Sequence, residues 1–272
     1  MLASQECQRH EVIQAILDTI RGETYVEIGV AAGECFWRIN AKRKIAVDPA
    51  PESAVRARVQ RVSCRAWWRN GMLSIMNRQT PHHLAETELF EMTSDEFFAH
   101  HAKIFVEQHI DVALIDGLHT YPQSLRDVTH CLKYLGPRGV IVMHDCDPPS
   151  EAAAIPASSY DAAASLRLPG WTGAWCGDVW KTIIHLRSCR EDVRVCVLDC
   201  DLGLGIVTRG KPEHMLAYSI QEVERLDYQR LQANRVKLLN VKERAYLHDV
   251  LNNLHDREEN PISVNETITD PH

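Results

Sequence analysis

Two histidines in this 272-residue chain stand beside aspartates at points where apolar runs stop. In "ALIDGLHTYP" the pair is Asp116 and His119, and in "VIVMHDCDPP" it is His144 and Asp145. An imidazole next to a carboxylate can take a proton from a hydroxyl near neutral pH. Two carboxylates with an imidazole also make a ligand set for a divalent cation. His119 and His144 are therefore the candidate catalytic residues. Magnesium prefers hard oxygen ligands, whereas manganese or iron also accepts nitrogen, so the imidazole bears on which ion is held. The other reading has no metal, with His119 and His144 supplying all the acid–base chemistry.

A second group of residues points to a ligand. In "YVEIGVAAGECFWRIN" an apolar run carrying Glu27 passes into Gly29, Ala31 and Gly33, and a helix is expected to open near Gly33. Such a turn brings bare backbone close to what it binds. A dinucleotide wants G-x-G-x-x-G, with its pyrophosphate on the helix N-terminus. Here the middle glycine is Ala31, and the Glu27 carboxylate would repel a pyrophosphate but attract an ammonium group. Asp48, which ends "KIAVD", is placed to accept two ribose hydroxyls. Ser94 and Asp95 in "EMTSDEFF" are expected either to meet an adenine amino group or to cap a helix. Ammonium, ribose and adenine together describe S-adenosylmethionine, and Asp116 completes the cofactor set.

These residues need a frame that gathers them. The apolar runs Thr24–Gly29, "KIAVDP", "ELFEM", "DVALID" and "GVIVMHD" alternate with helical periodicity. Continuous apolar strands alternating with helices predict an α/β, doubly wound, Rossmann-like sheet of five parallel strands. "VRVCVLD" and "GLGIVTR" add a C-terminal antiparallel hairpin. In such sheets ligands bind beyond the C-terminal strand ends, which here carry Glu27, Asp48, Glu91, Asp116 and His144-Asp145. Residues 1–22 read as an N-terminal helical cap and 23–210 as the cofactor-binding domain. Segments 51–80 and 146–176 read as lids bearing Trp67, Trp68, Trp171 and Trp175. Residues 211–272 read as a helical tail with a frayed end, through which a homodimer or higher oligomer would form.

Composition narrows the classes. A hydrophobic share of 45%, a charged share of 25% and a net charge of −7 describe a globular chain with no general electrostatic attraction to nucleic acid. No apolar run is long enough to span a bilayer, and the N-terminus lacks the pattern of a signal peptide. Nine cysteines without a C-x-x-C pair fit a reducing compartment. The expectation is a cytoplasmic protein acting on a small-molecule acceptor, without nucleic-acid or membrane partners.

The ordered set of strand ends resembles class I S-adenosylmethionine methyltransferases. "LIDGLHTYPQSLRDV", "LGPRGVIVMHDCDPP", "WCGDVWKTIIHLR" and "LGLGIV" look like the methyltransferase domain 24 family over Thr24 to Arg209, and "LQANRVKLLN" in the tail is similar too. Asp116-x-x-His119 with a doublet at the fifth strand end is similar to metal-dependent macrolide-sugar O-methyltransferases. The resemblance implies Asp116 and Asp145 as metal ligands and His119 as general base, and with His144 between them Asp116, His144 and Asp145 are the candidate metal set. This chain departs at His144, where that pattern has an acid, and at Cys146, where catechol O-methyltransferases have asparagine. The implied activity is O-methylation of a hydroxyl in a natural-product intermediate, as in antibiotic biosynthesis. N-methylation of a small amine without metal is the alternative, and a nicotinamide-dependent oxidoreductase is disfavoured by Glu27 and the missing glycine. "DCDPPS" resembles the signature of amino-directed nucleic-acid methyltransferases, but it ends in Ser150 and offers no aromatic ring to stack a flipped base.

Overall fold

The computed structural model describes residues 8–62 and 86–259. Helix α1 (Arg9–Ile20) forms where Val12, Ile13, Ile16, Leu17 and Ile20 repeat at helical spacing, and all five are buried. Gln8 and Glu11 close a capping box at its start. Strand β1 (Thr24–Ile28) is buried at every position. Its period of two sends Val26 and Ile28 to one face of the sheet, and Tyr25 and Glu27 to the other.

The parallel strands are β1, β2 (Arg43–Val47), β3 (Glu86–Phe90), β4 (Ile110–Ile115) and β5 (Leu135–Met143). A hairpin of β6 (Val193–Leu198) and β7 (Leu204–Arg209) follows, then the short β8 (Val241–Lys242). Their order is β3-β2-β1-β4-β5-β7-β6-β8, with β7 antiparallel to both β5 and β6. The expected doubly wound sheet with a terminal hairpin is thus present, and β8 extends it by pairing parallel to β6. Chain direction across the sheet reverses between β1 and β4, the switch point at which such sheets open a crevice.

Helices cover both faces. Residues 53–62 form α2. Then come α3 (Ser94–His100), α4 (Ile104–Glu107), α5 (Tyr121–Tyr134), α6 (Tyr160–Ser165) and α7 (Trp180–Cys189). The last three are α8 (Ile220–Arg225), α9 (Tyr228–Leu239) and α10 (Leu247–Glu259). One core lies between the sheet and α3, α5, α7 and α9, and the other between the sheet and α1 and α10. Among the described residues no helix is long and apolar enough to cross a membrane.

Several expected elements differ. No α-helix opens at Gly33; only a 3₁₀ turn, Phe36–Arg38, forms. The buried Lys44 ammonium explains this, donating to the carbonyls of Phe36 at 2.6 Å and Ile39 at 3.0 Å, which takes them away from helical partners. The third strand is set two residues earlier than the expected "ELFEM", and Glu91 lies outside it in a surface ion pair with Arg56 at 2.6 Å. Thr93, not Ser94 or Asp95, caps α3, in a capping box with Glu96. Helix α5 ends at Tyr134, just ahead of the Gly-Pro at 136–137, and these two residues already belong to β5. The segment 146–176 contains one short helix, α6, and Trp67 and Trp68 lie outside the described residues. The tail is not one helix but α8, α9, β8 and α10, and its Val250 and Leu254 pack into the core beside α1.

Candidate active site

Register brings the strand ends together. Just beyond β1, the Gly29 N–H donates to the Val47 carbonyl at 2.9 Å, and the Asp116 N–H to Ile28 at 2.9 Å. The His144 N–H donates to Ile115 at 3.0 Å. Each bond extends the ladder one step past its strand, so Gly29, Asp116 and His144 sit side by side. Gly29 has no substitute there: at φ 83° an added Cβ would lie 2.0 Å from the Asp116 carbonyl oxygen. The left-handed region is populated all around this edge, by Ala31 (φ 44°), Gly33 (φ 75°), Asp145 (φ 59°) and Asp201 (φ 46°). Outside glycine such a conformation costs about 1–3 kcal/mol and persists where surrounding structure holds it.

The two histidines bracket the two aspartates. His144 Nδ1 is 3.2 Å from Asp116 Oδ1 and 3.0 Å from Asp145 Oδ2. His119 Nε2 is 3.4 Å from the same two oxygens. On its other side, His119 Nδ1 lies 2.8 Å from the Trp175 carbonyl, which only accepts, so Nδ1 carries the proton. The ring is further fixed by the Trp175 indole, 4.7 Å away between centroids, and Gly177 packs on the His119 carbonyl so closely that a Cβ would come within 1.7 Å. Of the two tryptophans in segment 146–176, Trp175 packs on His119, and Trp171 meets Tyr160 at 6.0 Å.

Two residues absent from the sequence-based set complete the cluster. Arg9, from the first turn of α1, places Nη1 3.1 Å from His144 Nε2 and Nη2 3.6 Å from Asp116 Oδ2. Asp201, in the β6–β7 turn, accepts from the Arg9 backbone N–H at 2.8 Å, and its Oδ1 is 3.3 Å from His144 Nε2.

These charges act on one another. Burial alone would raise the Asp116 pKa, but His144, the His119 contact and Arg9 together hold it well below the usual carboxylate range. Burial opposes protonation of His119, and its bond to Asp116 with the charge of Asp145 outweighs that and raises its pKa. His144 is likewise drawn upward, against burial, by Asp116, Asp145 and Asp201. The Arg9 N–H at 3.1 Å limits that rise, since a ring protonated at both nitrogens would leave two donors facing each other.

Asp116, His144 and Asp145 each present one ligand atom, and these lie within 4.8 Å of one another. Asp145 Oδ1 is buried without a hydrogen-bond partner, as an oxygen awaiting a ligand would be. The set fits a divalent ion that tolerates nitrogen, such as manganese or iron, better than it fits magnesium.

The cofactor candidates are placed more unevenly. Glu27 is buried, accepts a 2.5 Å hydrogen bond from the Tyr25 hydroxyl, and has its pKa pushed up to about 8 by burial against that bond. Asp48 Oδ2 accepts from the N–H groups of Val30 and Ala31, both at 2.8 Å, and Oδ1 from Ala50 at 2.7 Å. It therefore shapes the glycine turn, and any ribose hydroxyl must use the remaining lone pairs. Buried Ser94 donates to Asp127 at 2.6 Å, while Asp95 is half exposed and paired with Arg126 at 3.2 Å. Burial raises the Asp127 pKa to about 6, so a Ser94–Asp127–Gln123 group, not Asp95, is the buried polar cluster there. A separate cavity of about 180 Å³, lined by Arg194, Thr208, Asn240 and Tyr246 among others, shares no residue with the site.

A doubly wound sheet with an antiparallel β7, a glycine turn and acids on its C-terminal edge is an α/β architecture whose switch point opens a crevice beside those residues. A family model described as a methyltransferase domain matches residues 26–146, from within β1 to just past Asp145, in agreement with the motifs. The match spans the strand-end residues from Glu27 to Asp145. No curated protein matches the chain. Among solved structures, an O-methyltransferase from Bacillus cereus in complex with S-adenosylhomocysteine is similar at 12% identity and a TM-score of 0.47, over 77% of this chain and 84% of that one. The O-methyltransferase TomG from Streptomyces achromogenes, involved in tomaymycin synthesis and in complex with S-adenosylmethionine, gives 13%, 0.43, 76% and 83% respectively. Podospora anserina methyltransferase PaMTH1 with S-adenosylhomocysteine gives 15%, 0.46, 75% and 80%.

Proposed function

We propose that this protein transfers the methyl group of S-adenosylmethionine to a hydroxyl of a small natural-product intermediate, with His119 as general base. The observation that carries this reading is the orientation of His119. Its Nδ1–H is committed to the Trp175 carbonyl, so the free lone pair is on Nε2, at the edge of the Asp116–Asp145 pair.

A sulfonium carries its own activation, so the protein has to position the acceptor within about 3–3.5 Å and remove its proton. Phenols ionise near pKa 10 and alcohols higher, which makes a base at neutral pH worth about 10²–10⁴-fold. The proton taken by His119 Nε2 would rest between two carboxylates and be stabilised there. Asp116, His144 and Asp145 would hold a divalent ion, which when bound lowers the acceptor's pKa and fixes its direction. Glu27 would receive the ammonium of the cofactor and give up its proton as it does so. Asp48 would serve the ribose, and the Ser94 group the adenine. The natural-product acceptor rests on the likeness of Asp116-x-x-His119 to macrolide-sugar enzymes.

The test is transfer of labelled methyl from S-adenosylmethionine to a panel of catechols, glycosides and amines. Label on oxygen, lost in His119→Ala while S-adenosylhomocysteine still binds by calorimetry, is the expected result. Label found on amine nitrogen, or full turnover without His119, would overturn the reading.

A further inference from the structure

Asp116 and His144 each divide their side-chain atoms between two sides. Asp116 Oδ1 and His144 Nδ1 turn inward to Asp145 Oδ2, forming the candidate cation site. Asp116 Oδ2 and His144 Nε2 turn outward, to Arg9 at 3.6 and 3.1 Å. His144 Nε2 is also 3.3 Å from Asp201 Oδ1. One ring nitrogen thus faces a group that only donates and a group that only accepts.

An imidazole nitrogen can satisfy only one of them at a time. With Nε2 bare, it accepts from Arg9, and the proton sits on Nδ1, pointing at the carboxylates. With Nε2 protonated, it donates to Asp201, and the Nδ1 lone pair faces inward as a ligand. A histidine that binds a metal through one nitrogen gives the other N–H to such an outer acceptor, which fixes the ring and raises its basicity.

We propose that Arg9 and Asp201 are a positioning pair that acts with opposite sign on cation binding by Asp116, His144 and Asp145. Asp201 supports the ligating form of the ring. Arg9 supports the ion-free form and adds a positive charge beside Asp116. The inference rests on the metal reading given above.

Three independent features agree. Asp145 is only 3% exposed, yet its Oδ1 has no hydrogen-bond partner. The turn that carries Asp201 holds two consecutive non-glycine residues in the left-handed region, Asp201 (φ 46°) and Leu202 (φ 59°). It is anchored to the end of β5 by Cys146 N–H to Gly203 at 3.0 Å and Asp147 N–H to Leu202 at 2.9 Å. Both Arg9 and Asp201 also lie outside the matched segment 26–146, so residues on either side of it complete the cluster.

The experiment is a manganese(II) titration of the full chain, followed by electron paramagnetic resonance of the free ion. Asp201→Asn is expected to weaken binding about 10–100-fold, and Arg9→Gln to strengthen it. Arg9→Lys, which keeps the charge but not the two-pronged contact, should fall between Arg9→Gln and the unaltered protein. A measurement without variants stands beside this: nitrogen-15 spectra of the His144 ring should show the proton moving from Nδ1 to Nε2 when zinc is added. Shifts of the same sign in both variants, no shift in either, an unchanged ring form, or no manganese bound by the unaltered protein would each overturn the proposal. Calorimetry with S-adenosylhomocysteine on the same preparations separates the outcomes. Cofactor binding without cation binding removes this pair's role and leaves the methyl-donor reading standing.

Discussion

His119 supplies the clearest test at the level of single residues. A general base works only unprotonated, and its bonds to Asp116 and Asp145 raise its pKa. Turnover should therefore climb with pH through a limb lying above the ordinary histidine value of about 6.5. Asp145→Asn should slide that limb downward; a limb unmoved by the substitution would show that Asp145 does not act on the base. Glu27 gives a stability test of opposite chemistry. Its pKa of about 8 in the folded chain lies above the ordinary carboxyl value, so folding takes up a proton. The protein should lose stability as pH rises from about 4.5 to 8, by up to a few kcal/mol from this residue alone. Glu27→Gln cannot ionise, so its melting temperature should gain on that of the unaltered chain across this window, while affinity for the methyl donor falls because the ammonium loses its acceptor. Asp116, His144 and Asp145 could be read from sequence because they stand where an apolar run stops, and His119 because it lies three residues past Asp116. Arg9 could not, since one arginine on an amphipathic helix has no local signal and its partner Asp201 is 192 residues away.

Among the elements, the glycine turn shows where pattern and packing part company. Strands were readable because they are continuous apolar runs, and the register of β1, β2 and β4 then fixed which strand ends would meet. The helix expected after Gly33 failed because Lys44, on the neighbouring strand, takes the carbonyls that a helix would use. That is a contact between segments, invisible to periodicity. Lys44→Met keeps the apolar stem and removes the donor, leaving two buried carbonyls without it. The expected cost is about 1–3 kcal/mol, read as a lower denaturant midpoint at constant slope. Gly29→Ala tests the turn itself. With φ at 83° and the Asp116 carbonyl 2.0 Å from the new methyl, the β4 end has to move. Loss of S-adenosylhomocysteine binding together with at least about 2 kcal/mol of stability is expected. An alanine variant that binds normally would mean that this approach does not shape the cofactor site.

Over the whole molecule, the site depends on parts of the chain far from its strand ends. Helix α1 brings Arg9 to the cluster, and α1 is held by the core it shares with α10 and the sheet. Leu254, 1% exposed, enters that core from α10 together with Val250. Leu254→Ala removes buried methyl groups and leaves a cavity, which ordinarily costs about 2–5 kcal/mol. If α10 clamps α1, the loss should not be spread evenly: amide hydrogen exchange should quicken in α1 and α10 together, while β1, β4 and β5 keep their protection until global unfolding. Uniform acceleration over all strands would mean that α1 and the sheet open as one unit, and unchanged exchange in α1 would mean that the sheet alone holds it. With α1 loosened, Arg9 should spend less time at His144 and Asp116. The Leu254→Ala chain is then expected to bind manganese more tightly than the unaltered protein, in the direction of Arg9→Gln, although residue 254 touches none of the ligands.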